Sequence, residues 1–491
     1  MMRSLWHRKS ISLAAVPPKG LRRELGFFDL TLVGIGSTIG AGIFVITGTA
    51  AAQYAGPAIA ISFLLAGFVC LCTALCYAEL ASMIPVAGSA YTYAYATLGE
   101  LIAWIVGWCL VLEYLVAAST VAVGWSSYFV ALCGDWGLLI PSTITSAPLD
   151  FNALGSPVVT GAWFNIPAAA IVLAMTAPLL IGTKQSASTN SALVLFKVGV
   201  ILLVILVAAA NLHSAYWHPF IPPHDPATGA FGWPGIMRGA GVIFFAYVGF
   251  DTISTSAQEA RNPQRDLGWA ILAALGACTA LYVAMALVVT GLAPYRLLNV
   301  ADPIVVALDH GGPRLHWLKP VVSVAAVVGL ASTILVTLYG QSRIFYSMSQ
   351  DGLLPKWFAK LHPTRVVPTQ GTVVAGIACA LFAGLFPLQI LGELVSIGTL
   401  LAFTIVCMGV AILRRRMPDA ERAFRVPLVP FVPVIGILGC LYLMLSLPSG
   451  TWIRLGVWLT IGLGVYWQFG AENAQRVRAA AHRRTDMALT E

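Results

Sequence analysis

Residues 33–44 read Val33-Gly34-Ile35-Gly36-Ser37-Thr38-Ile39-Gly40-Ala41-Gly42-Ile43-Phe44, inside an apolar run long enough to cross a bilayer. The stretch holds four glycines within nine residues, and each glycine inside a helix costs about 1 kcal/mol relative to alanine. A membrane contains no water that could pair a loosened backbone, so an interrupted helix persists only where protein or a polar ligand replaces the lost hydrogen bonds. The stretch therefore predicts an unwound segment and a binding site at mid-membrane depth.

The composition indicates an all-α polytopic membrane protein. The chain of 491 residues is 58% hydrophobic and 10% charged, whereas soluble domains carry about 25% charged residues. Spans of about 20 residues with short loops predict about twelve transmembrane helices. The twelve apolar runs, called spans 1 to 12, lie near residues 27–50, 58–84, 101–131, 163–182, 191–211, 235–257, 268–292, 320–342, 370–386, 391–413, 431–447 and 451–468.

The positive charges predict the orientation. If the N-terminus lies in the cytoplasm, 22 of the 28 lysines and arginines fall on the cytoplasmic side, and the loops at 132–162 and 212–233 contain none. The positive-inside rule then predicts a multi-pass protein of the inner (plasma) membrane with both termini cytoplasmic. The basic balance thus indicates topology and not nucleic-acid binding. No removable signal peptide is expected.

A second interruption lies in span 6, which reads Gly239-Ala240-Gly241-Val242-Ile243-Phe244-Phe245-Ala246-Tyr247-Val248-Gly249-Phe250-Asp251. Spans 1 and 6 are equivalent if two five-helix halves repeat with opposite orientations, and paired interruptions are typical of the substrate site of a secondary transporter. The expected organisation is a cytoplasmic tail at 1–24, repeat 1 at 25–211, repeat 2 at 212–413, two extra helices at 414–468 and a cytoplasmic tail at 469–491.

The glycines of span 1 have an alternative explanation, which is tight helix packing through Gly36 and Gly40 as a GxxxG pair. At about 100° per residue, these two glycines share one helical face, whereas Gly34 and Gly42 do not. We therefore expect Gly34 and Gly42 to be backbone opened for a substrate. Unwound backbone exposes N–H groups for a carboxylate and carbonyls for an amine, which suits an amino acid zwitterion better than a sugar.

Seven short motifs are spread along the chain. They are Leu25-Gly26-Phe27-Phe28-Asp29-Leu30, Tyr77-Ala78-Glu79-Leu80, Pro85-Val86-Ala87-Gly88-Ser89-Ala90-Tyr91, Phe245 to Asp251, Asn262-Pro263-Gln264-Arg265-Asp266, Gly340-Gln341-Ser342-Arg343 and Phe424-Arg425-Val426-Pro427. These motifs are similar to those of amino acid transporters of the APC superfamily, most of all to the bacterial members of the cationic amino acid transporter group. The similarity covers about residues 20–470 and implies a LeuT-like fold, with a five-plus-five inverted repeat and two extra helices. Gln258 and Gly268 depart from the group's pattern outside the expected site.

The resemblance also implies where a substrate is bound. In span 8, Leu338 matches a position of the side-chain pocket, although ordinary core packing explains it equally well. Its bulk would shorten the pocket and disfavour long side chains such as that of arginine. The expected substrate-binding residues are Gly36, Ser37, Thr38, Gly40, Ala41, Gly42, Phe245, Ala246, Val248 and Leu338.

Ionisable residues within spans cost about 2.5–3.5 kcal/mol or more at a helix centre, so each one needs an explanation. Lys197 either extends its stem to the cytoplasmic surface or, as the resemblance implies, faces span 1 and takes up and releases a proton. Glu113 is a candidate for a substrate-side or proton-coupling role, with a structural polar contact as the alternative. Asp251 and Gly249 are expected to gate or orient the interruption of span 6, and direct contact of Asp251 with substrate stays open.

Together these features predict a proton-coupled amino acid symporter that imports its substrate by alternating access. The alternatives are an ion-independent exchanger and a transporter-like sensor or channel. An enzyme is not expected, since no nucleophile–base pair, metal-ligand spacing or phosphate loop stands out, and neither a cofactor nor a metal is implied. The expected partners are an amino acid, a proton and the bilayer, and a monomer is the working expectation.

Overall fold

A computed structural model describes residue 8 and residues 25–84, 88–151, 157–181, 187–257, 260–300, 302–362 and 367–477, and 79% of these described residues are helical. Among the residues that the structure describes, the predicted all-α class holds except for one short antiparallel hairpin, in which Leu149 pairs with Val159. The α-helices are α1 (Phe27–Thr38), α2 (Thr47–Ala50), α3 (Ile59–Met83), α4 (Ser89–Thr97), α5 (Glu100–Asp135), α6 (Ile166–Ile181), α7 (Ala187–Ala208), α8 (Gly232–Ile243), α9 (Thr252–Thr255), α10 (Pro263–Leu292), α11 (Pro303–His310), α12 (Leu318–Gln350), α13 (Thr369–Leu385), α14 (Leu388–Arg416), α15 (Phe431–Leu445) and α16 (Ser449–Val465), and the strands are β1 (Leu149–Phe151) and β2 (Pro157–Val159).

Parts of the sequence-based predictions lie outside the described residues. These are most of the predicted tail at 1–24, the part of the second tail after residue 477, and Gln258. The residues at 85–87, which open one of the family motifs, lie outside them as well.

Seven helical segments of the described residues are long and apolar enough to cross a membrane, and an eighth forms if α15 and the helix after it, bent by 110°, are counted as one span. The helices α1, α6 and α13 are apolar but shorter. The molecule is therefore a polytopic membrane protein. Each of the twelve apolar runs contains a helix, while the count of twelve crossings and the inverted repeat stay predictions.

The first break interrupts span 1 at residues 39–41. Helix α1 ends at Thr38, and Ile39 adopts an extended conformation with φ −74° and ψ 96°. A π-helical turn at Gly42–Ile46 then resumes the span. The helix thus opens within the glycine-rich stretch, where backbone entropy makes helix least favourable.

The second break interrupts span 6 at residues 244–251. Helix α8 gives way to a 3₁₀ turn at Phe244–Tyr247, and Val248 is extended with ψ 132°. Gly249 follows with φ +120°, a conformation that only glycine adopts readily. The chain returns to helix at α9 (Thr252–Thr255).

The two breaks lie directly against each other. The hydroxyl of Ser37 donates a hydrogen bond to the carbonyl of Gly249 over 2.8 Å. A Cβ atom on Gly42 would clash with the Cβ of Ala246, and one on Gly249 would lie 2.7 Å from the carbonyl oxygen of Ser37. Close approach therefore requires glycine at both positions, and at Gly249 the backbone conformation requires it too.

The expectation that Gly34 is opened backbone is wrong. Gly34 lies inside the regular helix α1, and a Cβ there would clash with the side chain of Ile253. A Cβ on Gly36 would meet the Cγ2 of Val194 at 2.5 Å. Helix α1 is enclosed by α9 on one side and by α7 on another, so glycines on different faces all serve packing.

Longer helices surround the breaks. Helix α5 packs along α12 and α14, and α10 packs against both α3 and α1. All nine cysteines of the chain are free and buried. This arrangement places the two breaks in the interior of the helical bundle.

Candidate functional site

A cavity lies between the two breaks and the facing sides of α5 and α12. The cavity has a volume of about 30 Å³, which is enough for very few water molecules. Most of the predicted site residues line it, namely Ser37, Thr38, Gly40, Ala41, Gly42, Glu113, Phe245, Val248, Gly249 and Asp251.

Four buried polar atoms belong to residues that line this cavity. They are Thr38 Oγ1, Glu113 Oε2, Tyr114 OH and Asp251 Oδ1, and none of them has a hydrogen-bond partner among the described residues. An unsatisfied buried polar atom costs about 1–3 kcal/mol, so four at one cavity need a physical explanation. They are the groups that a polar ligand would satisfy.

Backbone donors are also available at the cavity. Gly40 and Ala41 lie between α1 and the π-helical turn. Within the described part of the chain, their N–H groups donate no hydrogen bond. Free N–H groups beside a helix interruption favour an anionic group such as a carboxylate.

Asp251 has one committed and one free oxygen. Its Oδ2 accepts a hydrogen bond from the Ser89 hydroxyl over 3.1 Å, and its backbone carbonyl accepts one from the Ser254 N–H over 2.8 Å. Its Oδ1 is unpartnered within the described residues. Asp251 therefore orients the second break and also lines the cavity.

Lys197 lies behind the first break. Its Nζ donates hydrogen bonds to the carbonyls of Gly36 over 2.5 Å and Ile39 over 2.8 Å, and it lies 3.4 Å from the hydroxyl of Thr333. The side chain is fully buried, so the alternative in which its stem reaches the surface does not apply. Lys197 does not line the cavity, but Thr333 does.

A family model described as amino acid permease matches residues 25–462. The chain belongs to the amino acid permease family. The permease is 45% identical to a methylthioribose transporter of Bacillus subtilis over 96% of this chain and 99% of the relative. It is 43% identical to the branched-chain amino acid permease BcaP of the same organism, over 97% of this chain and 99% of the relative.

More distant relatives include a vacuolar cationic amino acid transporter 4 of Arabidopsis thaliana, which is 37% identical over 85% of this chain and 68% of the relative. The predicted superfamily and the resemblance to this group are thereby confirmed. These relatives are all transporters, so the permease is a transporter and not an enzyme. No cluster of three or more potential metal ligands occurs among the residues that the structure describes.

Three predicted substrate-binding residues of the permease do not line the cavity. Gly36 contributes its carbonyl to Lys197 instead, and Ala246 contributes its carbonyl to the hydroxyl of Tyr282 over 2.7 Å. Leu338 is buried but is not a wall of the cavity. Its neighbours Val336 and Thr337 on α12 form that wall.

Sequence reasoning missed several lining residues, most of which lie on α5 and α12. A helical repeat would have found part of them, because Ala117 and Val121 follow Glu113 at intervals of four residues and so share its face. The same holds for Val336 and Thr337, which follow Thr333 by three and four residues. The missed lining residues are Tyr114, Ala117, Val121, Thr252, Thr333, Val336 and Thr337.

Proposed function

We propose that this permease imports a neutral, apolar amino acid together with a proton, by alternating access around the cavity between the two breaks. The observation that carries the proposal is the set of unpartnered polar atoms at this cavity, which within the described residues are on Thr38, Glu113, Tyr114 and Asp251. Twelve spans, the five-plus-five inverted repeat and cytoplasmic termini belong to the same proposal.

The substrate would be held by its two charges and its side chain. The N–H groups of Gly40 and Ala41 suit its carboxylate. The carboxylates of Glu113 and Asp251 suit its ammonium, since hydrogen bonds between ionised groups are the strong ones. Phe245 and Val248 supply an apolar surface for an aliphatic side chain. The relative named as a branched-chain amino acid permease supports a substrate of this kind.

Proton coupling is assigned to Lys197. In its protonated form the ammonium holds the carbonyls of Gly36 and Ile39, on either side of the point where α1 opens. Loss of the proton removes one donor and the charge, which loosens the first break. Thr333 connects this event to the cavity, because it lies beside Lys197 and also lines the site.

A second candidate substrate is a neutral thio-sugar. The observation that favours it is the 45% identity to a methylthioribose transporter, together with the hydroxyl groups of Thr38, Tyr114, Thr252 and Thr337 at the cavity. These hydroxyls both donate and accept hydrogen bonds, as recognition of a polyol requires.

Uptake into proteoliposomes under an imposed pH gradient tests the proposal. We expect labelled L-leucine to accumulate when the outside is acidic, and a protonophore to abolish the accumulation. Uptake that requires preloaded amino acid and ignores the gradient would indicate an exchanger, and binding without accumulation would indicate a sensor. Accumulation of methylthioribose but not of L-leucine would select the second candidate.

The variant Lys197→Met tests the coupling residue. We expect it to lose gradient-driven accumulation while exchange of labelled for unlabelled L-leucine continues. The matched control is Lys319→Met, because Lys319 pairs with Asp309 at the start of α12, away from the cavity. Retention of gradient-driven accumulation in Lys197→Met would overturn the assignment.

A further inference from the structure

The hydroxyl of Tyr282 lies between the two breaks. It is 2.8 Å from the carbonyl oxygen of Thr38, at the first break, and 2.7 Å from that of Ala246, in the second. Both carbonyls belong to backbone at the ends of interrupted helix, where the regular helical acceptors and donors are lost. One side chain from α10 thus reaches both breaks at once.

The ring of Tyr282 is held in place by aromatic neighbours. Its centroid lies 5.4 Å from that of Tyr247 in an edge-to-face arrangement and 5.4 Å from that of Phe63. The side chain is fully buried. Because the ring is confined, the position of the hydroxyl is fixed relative to α10.

A tyrosine hydroxyl carries one proton, so it donates one hydrogen bond at a time. The two carbonyl oxygens nevertheless lie within hydrogen-bonding distance of the same oxygen. The hydroxyl can therefore pass its hydrogen bond from one carbonyl to the other without moving, so both breaks are positioned against the same atom of α10.

We propose that Tyr282 is a positioning residue that keeps the two breaks at a fixed separation, so that they hold the substrate as one unit. The proposal rests on the proposed function only in that the breaks bind the substrate. A second hydrogen bond, from the Ser37 hydroxyl to the Gly249 carbonyl, also joins the two breaks. Gly249 follows the 3₁₀ turn of the second break.

Hydrogen–deuterium exchange of the full-length permease tests this without any substrate. We expect Tyr282→Phe to raise amide exchange by about tenfold in peptides covering both breaks, the change produced by loss of one buried hydrogen bond. The matched control is Tyr247→Phe. Its hydroxyl donates to the carbonyl of Phe63, on α3, over 2.8 Å, so we expect this variant to loosen the second break alone.

A rise in only one break for Tyr282→Phe, or the same rise in both breaks for Tyr247→Phe, would overturn the proposal. Equal thermal unfolding midpoints of the two variants would show that general destabilisation is not the cause. In transport assays we expect Tyr282→Phe to raise the KM for L-leucine more than it lowers the maximal rate. If the wild type does not transport L-leucine, the proposed function fails. The comparison of hydrogen–deuterium exchange between Tyr282→Phe and Tyr247→Phe still decides the role of Tyr282.

Discussion

Glu113 carries a buried carboxyl group that the packing of α5 does not explain. It is buried in the middle of α5, lines the cavity and has an oxygen without a partner among the described residues. A carboxylate is costly at this depth, and a positively charged group at the cavity would offset that cost. In the proposed function, this group is the ammonium of the amino acid.

The variant Glu113→Gln keeps the size of the side chain but removes its charge. We expect the KM for L-leucine to rise by about tenfold, because hydrogen bonds to charged groups contribute about 1.5–3 kcal/mol. Uptake kinetics in proteoliposomes measure the change. Ser119→Ala is the control on the same helix, since the Ser119 hydroxyl bonds to the carbonyls of Leu115 and Cys379 and not to the cavity. An unchanged KM would show that Glu113 does not face the substrate.

At the scale of single residues, the sequence predicted the ionisable side chains of the site but not its threonines. Glu113 and Lys197 were found because ionisable side chains are expensive within a membrane span. Thr333 was missed because threonines occur throughout the spans, and hydroxyls can bond to the carbonyl of their own helix. Only the fold distinguishes the threonine beside Lys197 from the others.

At the scale of elements, the second break depends on Gly249. Its φ of +120° and the position of the Ser37 carbonyl exclude a Cβ atom. We expect Gly249→Ala to destabilise the permease by about 1–3 kcal/mol through backbone strain, with loss of transport. Thermal unfolding in detergent measures the cost.

The control for this variant is Gly276→Ala. Gly276 lies within α10, and a Cβ there has nothing within 4 Å. Since alanine is a better helix former, Gly276→Ala should be neutral or stabilise by up to about 1 kcal/mol. Equal effects of the two substitutions would contradict the role given to Gly249.

Both breaks were predictable as elements, because clustered glycines within a span weaken helix wherever they occur. The role of each glycine was not predictable. Helical angles separated Gly34 from Gly36, yet both meet neighbouring side chains in the fold. A helix that is enclosed on several sides packs through several faces. Assigning the packing glycines to one helical face therefore could not predict the role of Gly34.

At the scale of the whole molecule, Glu79 joins α3 to the segment after α14. Its carboxylate accepts hydrogen bonds from Arg414 over 2.6 and 2.9 Å, from Arg422 over 3.1 Å and from the Val426 N–H over 2.8 Å. The side chains of Glu79 and Arg422 are fully buried. This network connects parts of the chain that are more than 300 residues apart.

We expect Glu79→Gln to destabilise the permease by about 3–5 kcal/mol, because it leaves buried arginine charge without its carboxylate partner. Thermal unfolding in detergent measures this effect. The control is Glu472→Gln, which removes an exposed ion pair with Arg476 and should change stability by at most about 1 kcal/mol. Similar effects of both variants would contradict the structural importance of the Glu79 network.

The length and composition of the chain predict the number of membrane spans but not whether each span is one continuous helix. Helix α1 has 12 residues and rises about 18 Å, so it does not span the hydrocarbon core alone. Span 1 is not one continuous helix, because the first break divides it. The apolar runs predicted where helices form, whereas the division of span 1 was indicated by its clustered glycines and not by the length of the run.

The nine free, buried cysteines have a practical consequence. In this conformation a water-soluble maleimide would find no accessible thiol, so the native protein serves as the unlabelled background. A single cysteine introduced at Thr337, on the cavity wall, would then report by its reaction rate from which side of the bilayer the cavity is open.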